Sequence, residues 1–340
     1  MKKINVILAC LTIFGLMTGC GGFGNFGGGN TNTSERASNE NPTGADAQEI
    51  TMTLKAESKV RFSVGGNNAA TIDWGDGSPV EEVTLNPTPD EFVHNYAQPA
   101  KYTIKITGEN ITVLECNHSD LTELNLNVST LIKLSCYGRL TSLDVSKNRG
   151  LIYLACGGNQ LTSLDVSKNT ALKELYCYRN QLTHLDVSKN SELETLSCEN
   201  NQLTSLDVSK NTKLQKLDCG DNQLTSLDIS KNSDLTYLTC SGNQLTNLDV
   251  SKNTALTDLF CLDNQLTSLD VSKNDQLRNI NFINNELSAE ALNTLFHSLY
   301  DNDPQRRTAT ITISSNPGTD ECDRSIAEKK GWIVEEYERG

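Results

Sequence analysis

The sequence predicts a mainly β protein, in which a small β-sandwich precedes a solenoid of short 21-residue repeats that ends in an α/β cap. Three observations support this prediction. Cysteines recur at near-constant spacing in the middle of the chain, at positions 116, 136, 156, 177, 198, 219, 240 and 261. Segments before them alternate apolar and polar residues, and the segment after them has helical spacing. The chain is only 36% hydrophobic, which suits an array that buries a narrow strip per repeat.

The repeat unit reads L-x-x-L-x-C-x-x-N-Q-L-T-x-L-D-V-S-K-N-x-x, and a ninth unit has Phe282 at the cysteine position. About ten residues remain after the first half to reach the next turn, too few for a crossover helix with its connections. Since the return carries its own L-x-x-L-x-V pattern, we expect two short strands per turn. The Asn three residues after each cysteine from Cys156 to Cys261 is expected to point inward and bind backbone groups at the bend.

The regular cysteines could indicate a metal site, a disulfide framework, a reactive surface or a core position. Thiolates that bind zinc converge from several directions, whereas these side chains point the same way from successive strands. Strand spacing also keeps the sulfurs of neighbouring turns well beyond bonding distance. We therefore expect a ladder of buried, protonated thiols formed by Cys116, Cys136, Cys156, Cys177, Cys198, Cys219, Cys240 and Cys261. The Asp column of the same repeats is interpreted as a solvated face, not a catalytic site.

The first residues have the pattern of a targeting segment, in which "MKK" precedes an apolar run ending in small residues. The stretch "LMTGC" resembles a bacterial lipobox, which implies a lipoprotein signal peptide over residues 1–19 and a lipid anchor at Cys20. The other interpretation is an ordinary secretory leader with an incidental cysteine. Residues 20–46 are rich in Gly, Asn and Ser, so we expect a flexible tether.

Residues 47–109 are predicted to form the β-sandwich, because segments such as "ITMTLKA" and "KYTIKIT" alternate apolar and polar residues. Several of its residues follow one known pattern, namely Trp74, Gly75, Asp76, Gly77, His94, Tyr96 and the strand 102–106. They resemble those of the PKD domain, a small β-sandwich of extracellular proteins. Asp73 and Asp76 could be calcium ligands, but their spacing lacks the alternating oxygen ligands of an EF-hand loop. We expect them to shape a hairpin.

After Asn285 the spacing becomes helical, with Ser288 as the candidate N-cap. Residues 311–316 then match the core of the repeat again, and we interpret them as a further rung. The segment "CDRSIAEKKGWIVEEY" is predicted to add a helix and a last strand that cover the open edge. The repeats are therefore assigned to residues 110–287 and the helix and strand cap to residues 288–340.

The unit with cysteine in place of a core leucine has the leucine-rich-repeat pattern. From residue 111 to about 287 it resembles the bacterial internalins, most closely the internalin J type with cysteine-ladder repeats. This resemblance implies a right-handed solenoid and a role in surface attachment or host interaction. The sequence departs from internalins in its N-terminal part and shows no mucin-binding tail or "LPxTG" sorting sequence. A lipid at Cys20 would replace anchorage to the cell wall.

Solenoids bind partners with the exposed residues of their strand face, which here are the variable positions around each cysteine. Exposed aromatic side chains on a rigid face favour recognition, although aromatics also favour pleated sheets for packing reasons alone. The predicted partner-binding residues are Tyr137, Tyr153, Tyr176, Tyr178, Arg179, Tyr237, Phe260 and Leu262. Gly138, Gly157 and Gly158 are expected to leave room beside them.

We expect a binding protein, not an enzyme, because the four histidines fall in unrelated registers and catalytic motifs are not found in the sequence. No cofactor or metal is expected. The predicted partner is a protein on a host or neighbouring cell, and the chain would be lipid-anchored at the outer membrane or cell surface. A glycan-binding lipoprotein of a polysaccharide capture system and a structural spacer are the alternatives. The formal charge of −14 argues against nucleic acid.

Overall fold

The structure is a computed structural model and describes residues 48–302 and 308–336. The predicted signal peptide (1–19), the lipid-bearing Cys20 and the tether (20–46) lie outside the described residues. The described chain is mainly β, as predicted, and its strands form two hydrogen-bonded sheets of 5 and 13 strands.

The N-terminal part is a sandwich built from mostly antiparallel strands. They are β1 (Glu49–Ala56), β2 (Lys59–Gly66), β3 (Asn68–Asp73), β4 (Glu81–Leu85), β5 (Asp90–Asn95), β6 (Ala100–Gly108), β7 (Ile111–Asn117) and β8 (Leu121–Asn127). One sheet has the order β4-β3-β6-β1-β8, and β5-β2-β7 form the end of the larger sheet. The alternation seen in the sequence places Ile50, Met52 and Leu54 of β1 in the buried interior, where Ile104 and Ile106 of β6 also lie.

The residues that resemble a PKD domain form one packed cluster beside the hairpin after β3. The Trp74 and His94 rings stack with centroids 4.7 Å apart, and the Tyr96 hydroxyl donates to the Trp74 carbonyl at 2.8 Å. His94 Nε2 lies 2.7 Å from Asp76 Oδ2. Hydrogen bonds from Ser78, and then the contact with His94, hold the pKa of Asp76 well below its usual range.

The hairpin itself is shaped by Asp73 and Asp76, as the sequence predicted. Their Oδ1 atoms accept from the backbone N–H groups of Gly75 and Ser78 at 2.9 and 3.0 Å. Gly75 and Gly77 have φ of 77° and 85°, a conformation that glycine adopts without steric cost.

The repeats form a stack of short parallel strands, one in each turn. These are β9 (Lys133–Tyr137), β10 (Tyr153–Ala155), β11 (Glu174–Tyr176), β12 (Thr195–Ser197), β13 (Lys216–Asp218), β14 (Tyr237–Thr239), β15 (Asp258–Phe260) and β16 (Asn279–Asn281). Equivalent residues pair in register, so that Leu154 lies beside Leu134 and Leu175.

The prediction of a second strand in each turn is confirmed only in the first turn, where β8 forms it, and is wrong for the later turns. The return segment instead consists of successive tight turns: Asp186 Oδ1 accepts from Ser188 N at 2.9 Å, and Asn190 N donates to Val187 O at 3.0 Å. Between returns of neighbouring turns, single backbone bonds remain, such as Gln181 N to Leu161 O at 2.8 Å. Tight turns rotate the backbone groups away from the neighbouring turn, so a ladder does not form.

Two columns of buried asparagines hold the turns together. As predicted, Asn180 lies inward: its Oδ1 accepts from Leu161 N at 3.0 Å, and its Nδ2 donates to Cys156 O at 3.1 Å and to Cys177 O at 3.0 Å. The second column was not predicted from the sequence. It is represented by Asn190, whose Nδ2 donates to carbonyls of the preceding turn. The sequence signal for this column is the Asn that ends every S-K-N segment.

The sandwich and the solenoid share one sheet. Strand β7 pairs antiparallel with β2 on one side and parallel with β9 on the other. Strand β8, in the same repeat, pairs with β1 of the other layer. Backbone hydrogen bonds therefore cross the sequence position near residue 110 where the predicted domains meet, and the sandwich covers the first edge of the solenoid.

The C-terminal cap contains α1 (Ala289–Ser298), β17 (Thr310–Thr312), α2 (Ser325–Lys329) and β18 (Ile333–Glu335). The Ser288 hydroxyl caps α1 by accepting from Ala291 N at 3.2 Å, as predicted. Strand β17 pairs parallel with β16, and β18 pairs parallel with β17. Asn316 repeats the inward ladder contact, since its Nδ2 donates to Phe282 O at 2.8 Å. The further rung and the final helix and strand are thus confirmed.

Candidate binding face

The outward residues of β9–β16 and the residue after each ladder cysteine form one continuous surface, which we name the strand face. Parallel strands in register place equivalent side chains one strand spacing apart, about 4.8 Å. The face is therefore a set of columns, in which each turn contributes one residue to each column.

The ladder cysteines lie beneath this face and not on it. All eight are buried, and the structure contains them as free thiols. Burial raises the pKa of Cys156 and Cys240 to about 12, and raises the pKa of Cys198 and Cys219 well above the ordinary value. At neutral pH these thiols are protonated and pack as small apolar groups.

An aromatic cluster occupies the N-terminal turns of the strand face. The rings of Tyr153 and Tyr176 lie 5.5 Å apart between centroids, and Lys133 Nζ lies 5.2 Å from the Tyr153 centroid. The Tyr176 hydroxyl donates to Glu174 Oε2 at 2.7 Å. Burial, and then the charge of Glu174, raises the pKa of Tyr153. Both tyrosines are half-buried.

Tyr137 and Tyr178 flank this cluster and are the more exposed, at 48% and 37%. Their rings occupy the space above two glycines: a Cβ atom at Gly158 would lie 2.2 Å from the Tyr137 ring, and one at Gly157 would lie 2.8 Å from the Tyr178 ring. The expectation that these glycines leave open room is therefore corrected. The rings fill that room, which fixes where they stand.

A second aromatic pair lies further along the solenoid. The rings of Tyr237 and Phe260 are 5.6 Å apart between centroids, and Leu262 is partly exposed nearby in sequence. Strands β11 and β14 are three steps apart in the sheet order. At about 4.8 Å per step, the two aromatic groups are separated by roughly 14 Å. The predicted residues thus form two groups and not one.

Between the groups lies an acidic patch formed by Glu199, Asp218 and Asp221, which was not predicted from the sequence. Asp218 is only 6% exposed, and its Oδ1 accepts from Gly220 N at 3.2 Å. Burial, and then the neighbouring Glu199, raises the pKa of Asp218 well above its usual range. Asn200 bridges Glu199 and Asp221, with Nδ2–O distances of 2.7 and 3.3 Å. The sequence signal for this patch is Asp218, a carboxylate in a column that holds small or aromatic residues in the other strands from β9 to β15.

Arg179 is exposed and has a φ of 51°, at the bend where later turns have Asn200 and Asp221. Cations at the N-terminal end of the face are engaged locally: Lys133 Nζ lies 2.7 Å from Glu115, and Arg139 Nη2 lies 3.2 Å from Asp120. Each of these two cations is thus paired with a carboxylate, whereas the middle of the face carries the acidic patch.

Within residues 48–302 and 308–336, no group of three or more acidic, His or Cys side chains is arranged to hold a metal ion. The histidines lie on separate elements, His94 in β5, His118 after β7, His184 in a return segment and His297 in α1. Across the same two ranges, neither helix has the length and apolar character needed to cross a membrane.

Comparison with known proteins agrees with the repeats and the cysteine ladder described above. The sequence model of the family Leucine Rich repeats (2 copies) matches residues 191–232 and 212–253. The functional domain of InlJ from Listeria monocytogenes, which includes a cysteine ladder, is 39% identical, has a TM-score of 0.58, and aligns over 68% of this chain and 50% of that chain. This chain therefore spans half the length of that domain. No curated protein matches the sequence.

Two further solved structures have lower similarity. A leucine-rich-repeat protein of Leptospira interrogans is 20% identical, with a TM-score of 0.45, over 62% of this chain and 67% of that chain. The internalin InlF from Listeria monocytogenes is 19% identical, with a TM-score of 0.35, over 67% of this chain and 87% of that chain.

Proposed function

We propose that this chain, which belongs to the leucine-rich-repeat proteins and has the cysteine ladder seen in InlJ, binds a protein partner through its strand face. The observation that carries the proposal is the group of half-exposed tyrosines held in place on adjacent turns. Tyrosine supplies contact area with few rotatable bonds, so little conformational entropy is lost on binding. The chain acts as a binding protein and not as an enzyme.

The arrangement of the face supports a protein partner of extended shape. Two apolar groups separated by roughly 14 Å would each fill a pocket or cover an apolar side chain on the partner. The acidic patch between them favours a partner with basic residues at the corresponding position.

The location of the chain belongs to the same proposal. We infer an extracellular site of action, with the lipid at Cys20 anchoring the protein to the outer membrane or cell surface and residues 20–46 acting as a tether. The lipobox-like "LMTGC" supports this inference. Mass spectrometry of the mature protein tests it, because a diacylglyceryl Cys20 at the N-terminus is expected, and an unmodified N-terminus elsewhere would contradict it.

The binding experiment uses the full chain, immobilised and exposed to a panel of host and bacterial extracellular proteins. We expect at least one saturable partner, and the double variant Tyr153→Ser, Tyr176→Ser is expected to weaken its binding by about 2 kcal/mol or more. The matched control is Ser205→Ala, Lys210→Ala, two exposed residues of a return segment. Equal loss in the control, or no loss in the tyrosine variant, would exclude the strand face.

A glycan ligand is the second candidate, favoured by the exposure of Tyr137 and Tyr178 on adjacent parts of the face. Pyranose rings stack on aromatic faces, and the glycines beneath these rings hold them in fixed positions. A glycan array probed with the full chain tests this candidate, and Tyr178→Ala is expected to abolish binding. If the array shows no ligand, the protein partner remains. A structural spacer would be indicated if none of these variants changes any interaction.

A further inference from the structure

A separate feature lies at the other side of the first turns, away from the strand face. It is a cleft of about 510 Å³ lined by Gln48, Asn127, Val128, Ser129, Ser146, Lys147, Arg149 and Lys168. Most of these residues belong to the return segments of the first three turns, with Gln48 just before β1. Buried Val128 forms part of the wall, and the rest of the lining is polar.

The cleft exists because the first turn departs from the repeat. Between Leu126 and Val128 there is only Asn127, where the next turn has both Ser146 and Lys147 between Val145 and Asn148. The first return is therefore one residue shorter and leaves space beneath the second. Gln48 and Ser129 close one end, since Ser129 N donates to Gln48 Oε1 at 3.1 Å.

The charge of the cleft also departs from the repeat. The first turn has Asn125 in place of the ladder Asp, and the second turn has Arg149 where the following turns have Thr170, Ser191 and Thr212. The lining thus contains three cationic side chains and no carboxylate, in a chain with a net charge of −14. None of the ion pairs formed by the described residues involves Lys147, Arg149 or Lys168.

The nearest carboxylates on the return segments already accept hydrogen bonds from the backbone. Asp144 Oδ1 accepts from Ser146 N at 2.9 Å, and Asp165 Oδ1 accepts from Ser167 N at 2.8 Å. Hydrogen bonds from the side chain and then the backbone of Ser146 and of Ser167 lower the pKa of Asp144 and Asp165, more than the adjacent lysines do. Lys147 is held on the wall of the cleft, with its Nζ 2.6 Å from Asn127 Oδ1.

We propose that this cleft binds a phosphate ester, as a sugar phosphate or a phospholipid headgroup. The Arg149 guanidinium can pair with two oxygens of the phosphate, and Lys147 and Lys168 supply point charges on either side. The Ser129 hydroxyl is a hydrogen-bond donor for a remaining oxygen. The volume lies within the range of about 300–1,000 Å³ found for small-ligand sites, which is large enough for one sugar ring or headgroup.

This site is independent of the strand face, because its lining residues belong to the return segments and to the residue before β1. Occupation of the cleft therefore leaves the tyrosine groups free. A phosphate-bearing ligand here would be held beside β1, the N-terminal strand of the sandwich.

The experiment uses the full chain with Cys20→Ser, so that no lipid anchor forms, and titrates it with inorganic phosphate, glucose 6-phosphate and glucose by calorimetry, and with vesicles of phosphatidylglycerol by sedimentation. We expect saturable binding of glucose 6-phosphate or of the vesicles, and none of glucose. The double variant Arg149→Gln, Lys168→Gln is expected to weaken that binding at least tenfold. Both residues are exposed, so the unfolding midpoint should stay unchanged.

The matched control is the double variant Lys210→Gln, Lys231→Gln. It removes two lysines that occupy the position of Lys168 in later turns, in the middle of the solenoid. It should leave binding intact. If the cleft variant loses binding of glucose 6-phosphate and the control variant does not, the ligand is a sugar phosphate. If the cleft variant loses binding of the vesicles and the control variant does not, the ligand is a lipid headgroup. Equal loss in the control variant, or no saturable binding of any phosphate probe, overturns the proposal.

Discussion

The ring of Tyr178 lies against Gly157 of the preceding turn, so that a Cβ atom at residue 157 would stand 2.8 Å from it. The ring of Tyr137 lies against Gly158 of the following turn, where a Cβ atom would stand 2.2 Å from it. Each exposed ring is thus positioned by a glycine that belongs to another turn. The orientation of the candidate binding residues depends on small residues that do not themselves reach a partner.

Gly157→Ala is expected to displace the Tyr178 ring, because the added methyl group occupies the position of ring atoms. The free energy of unfolding should fall by only about 1 kcal/mol, since the ring can swing toward solvent. Binding of any strand-face partner should fall several-fold, as measured by calorimetry. Gly150→Ala is the matched control, because Gly150 lies in a return segment and its Cβ would meet its nearest atom at 3.6 Å, an ordinary contact. Equal effects of the two substitutions would contradict this explanation.

Cys198→Ser is expected to destabilise the solenoid. Its thiol is fully buried among apolar side chains, and a hydroxyl placed there costs about 1–3 kcal/mol unless it finds a partner. Urea denaturation followed by circular dichroism measures the change. Cys322→Ser, at a partly exposed position in the cap, should have a much smaller effect. Release of stoichiometric zinc on unfolding would show instead that the ladder binds metal.

Asn201→Ala tests the inward asparagine column. Asn201 Oδ1 accepts from Leu182 N at 3.0 Å, and its Nδ2 donates to Cys177 O and Cys198 O at 3.1 and 3.0 Å. Removing the amide leaves the buried Leu182 N–H without a partner, at a cost of about 1–3 kcal/mol, whereas Cys177 O and Cys198 O keep the bonds from Asn180 and Asn222. The neighbouring Gln202 is exposed, so Gln202→Ala should change stability by about 0.5 kcal/mol or less. Similar denaturation midpoints for the two variants would argue against the structural role.

The acidic patch predicts how the free energy of unfolding depends on pH. Because burial and Glu199 raise the folded-state pKa of Asp218 above its unfolded value, the folded state holds this proton more tightly. The associated stability is fully present below the ordinary Asp pKa of about 3.9 and is lost as the pH rises through the folded-state pKa.

Asp218→Asn should remove the loss of stability at high pH, since the amide stays neutral and can still donate to Glu199. We expect the variant to be more stable than the wild type near pH 8 and to lose that advantage toward pH 4, in denaturation curves recorded across this range. Asp234→Asn, at an exposed position, is the control. A constant difference between Asp218→Asn and wild type at all pH values would contradict the shifted pKa.

The repeat pattern predicted most of the solenoid. Leu175, Cys177 and Asn180 occupy the inward positions expected from their spacing, because eight copies of one unit leave only one set of positions that can pack between turns. The hairpin at Asp73 and Asp76 was equally predictable, since Asx turns and glycines with positive φ are local properties.

The return segment was less predictable. Its L-x-x-L-x-V pattern indicates which residues point inward, and Leu185 and Val187 are indeed buried. Burial alone does not distinguish a strand from a series of tight turns, however. The D-V-S-K-N segment contains the residues that favour turns, and this local chemistry outweighs the alternation.

The sequence by itself determined a leucine-rich-repeat solenoid with a buried cysteine ladder, because identical inward residues recur at one period. Only the tertiary structure decided that the sandwich shares its sheet with the repeats, which depends on pairing between β2 and β7. It also decided that Tyr178 rests on Gly157, and that Asp218 is buried near Glu199. These contacts join variable, outward residues of different turns, and no periodic constraint in the sequence specifies how such side chains meet.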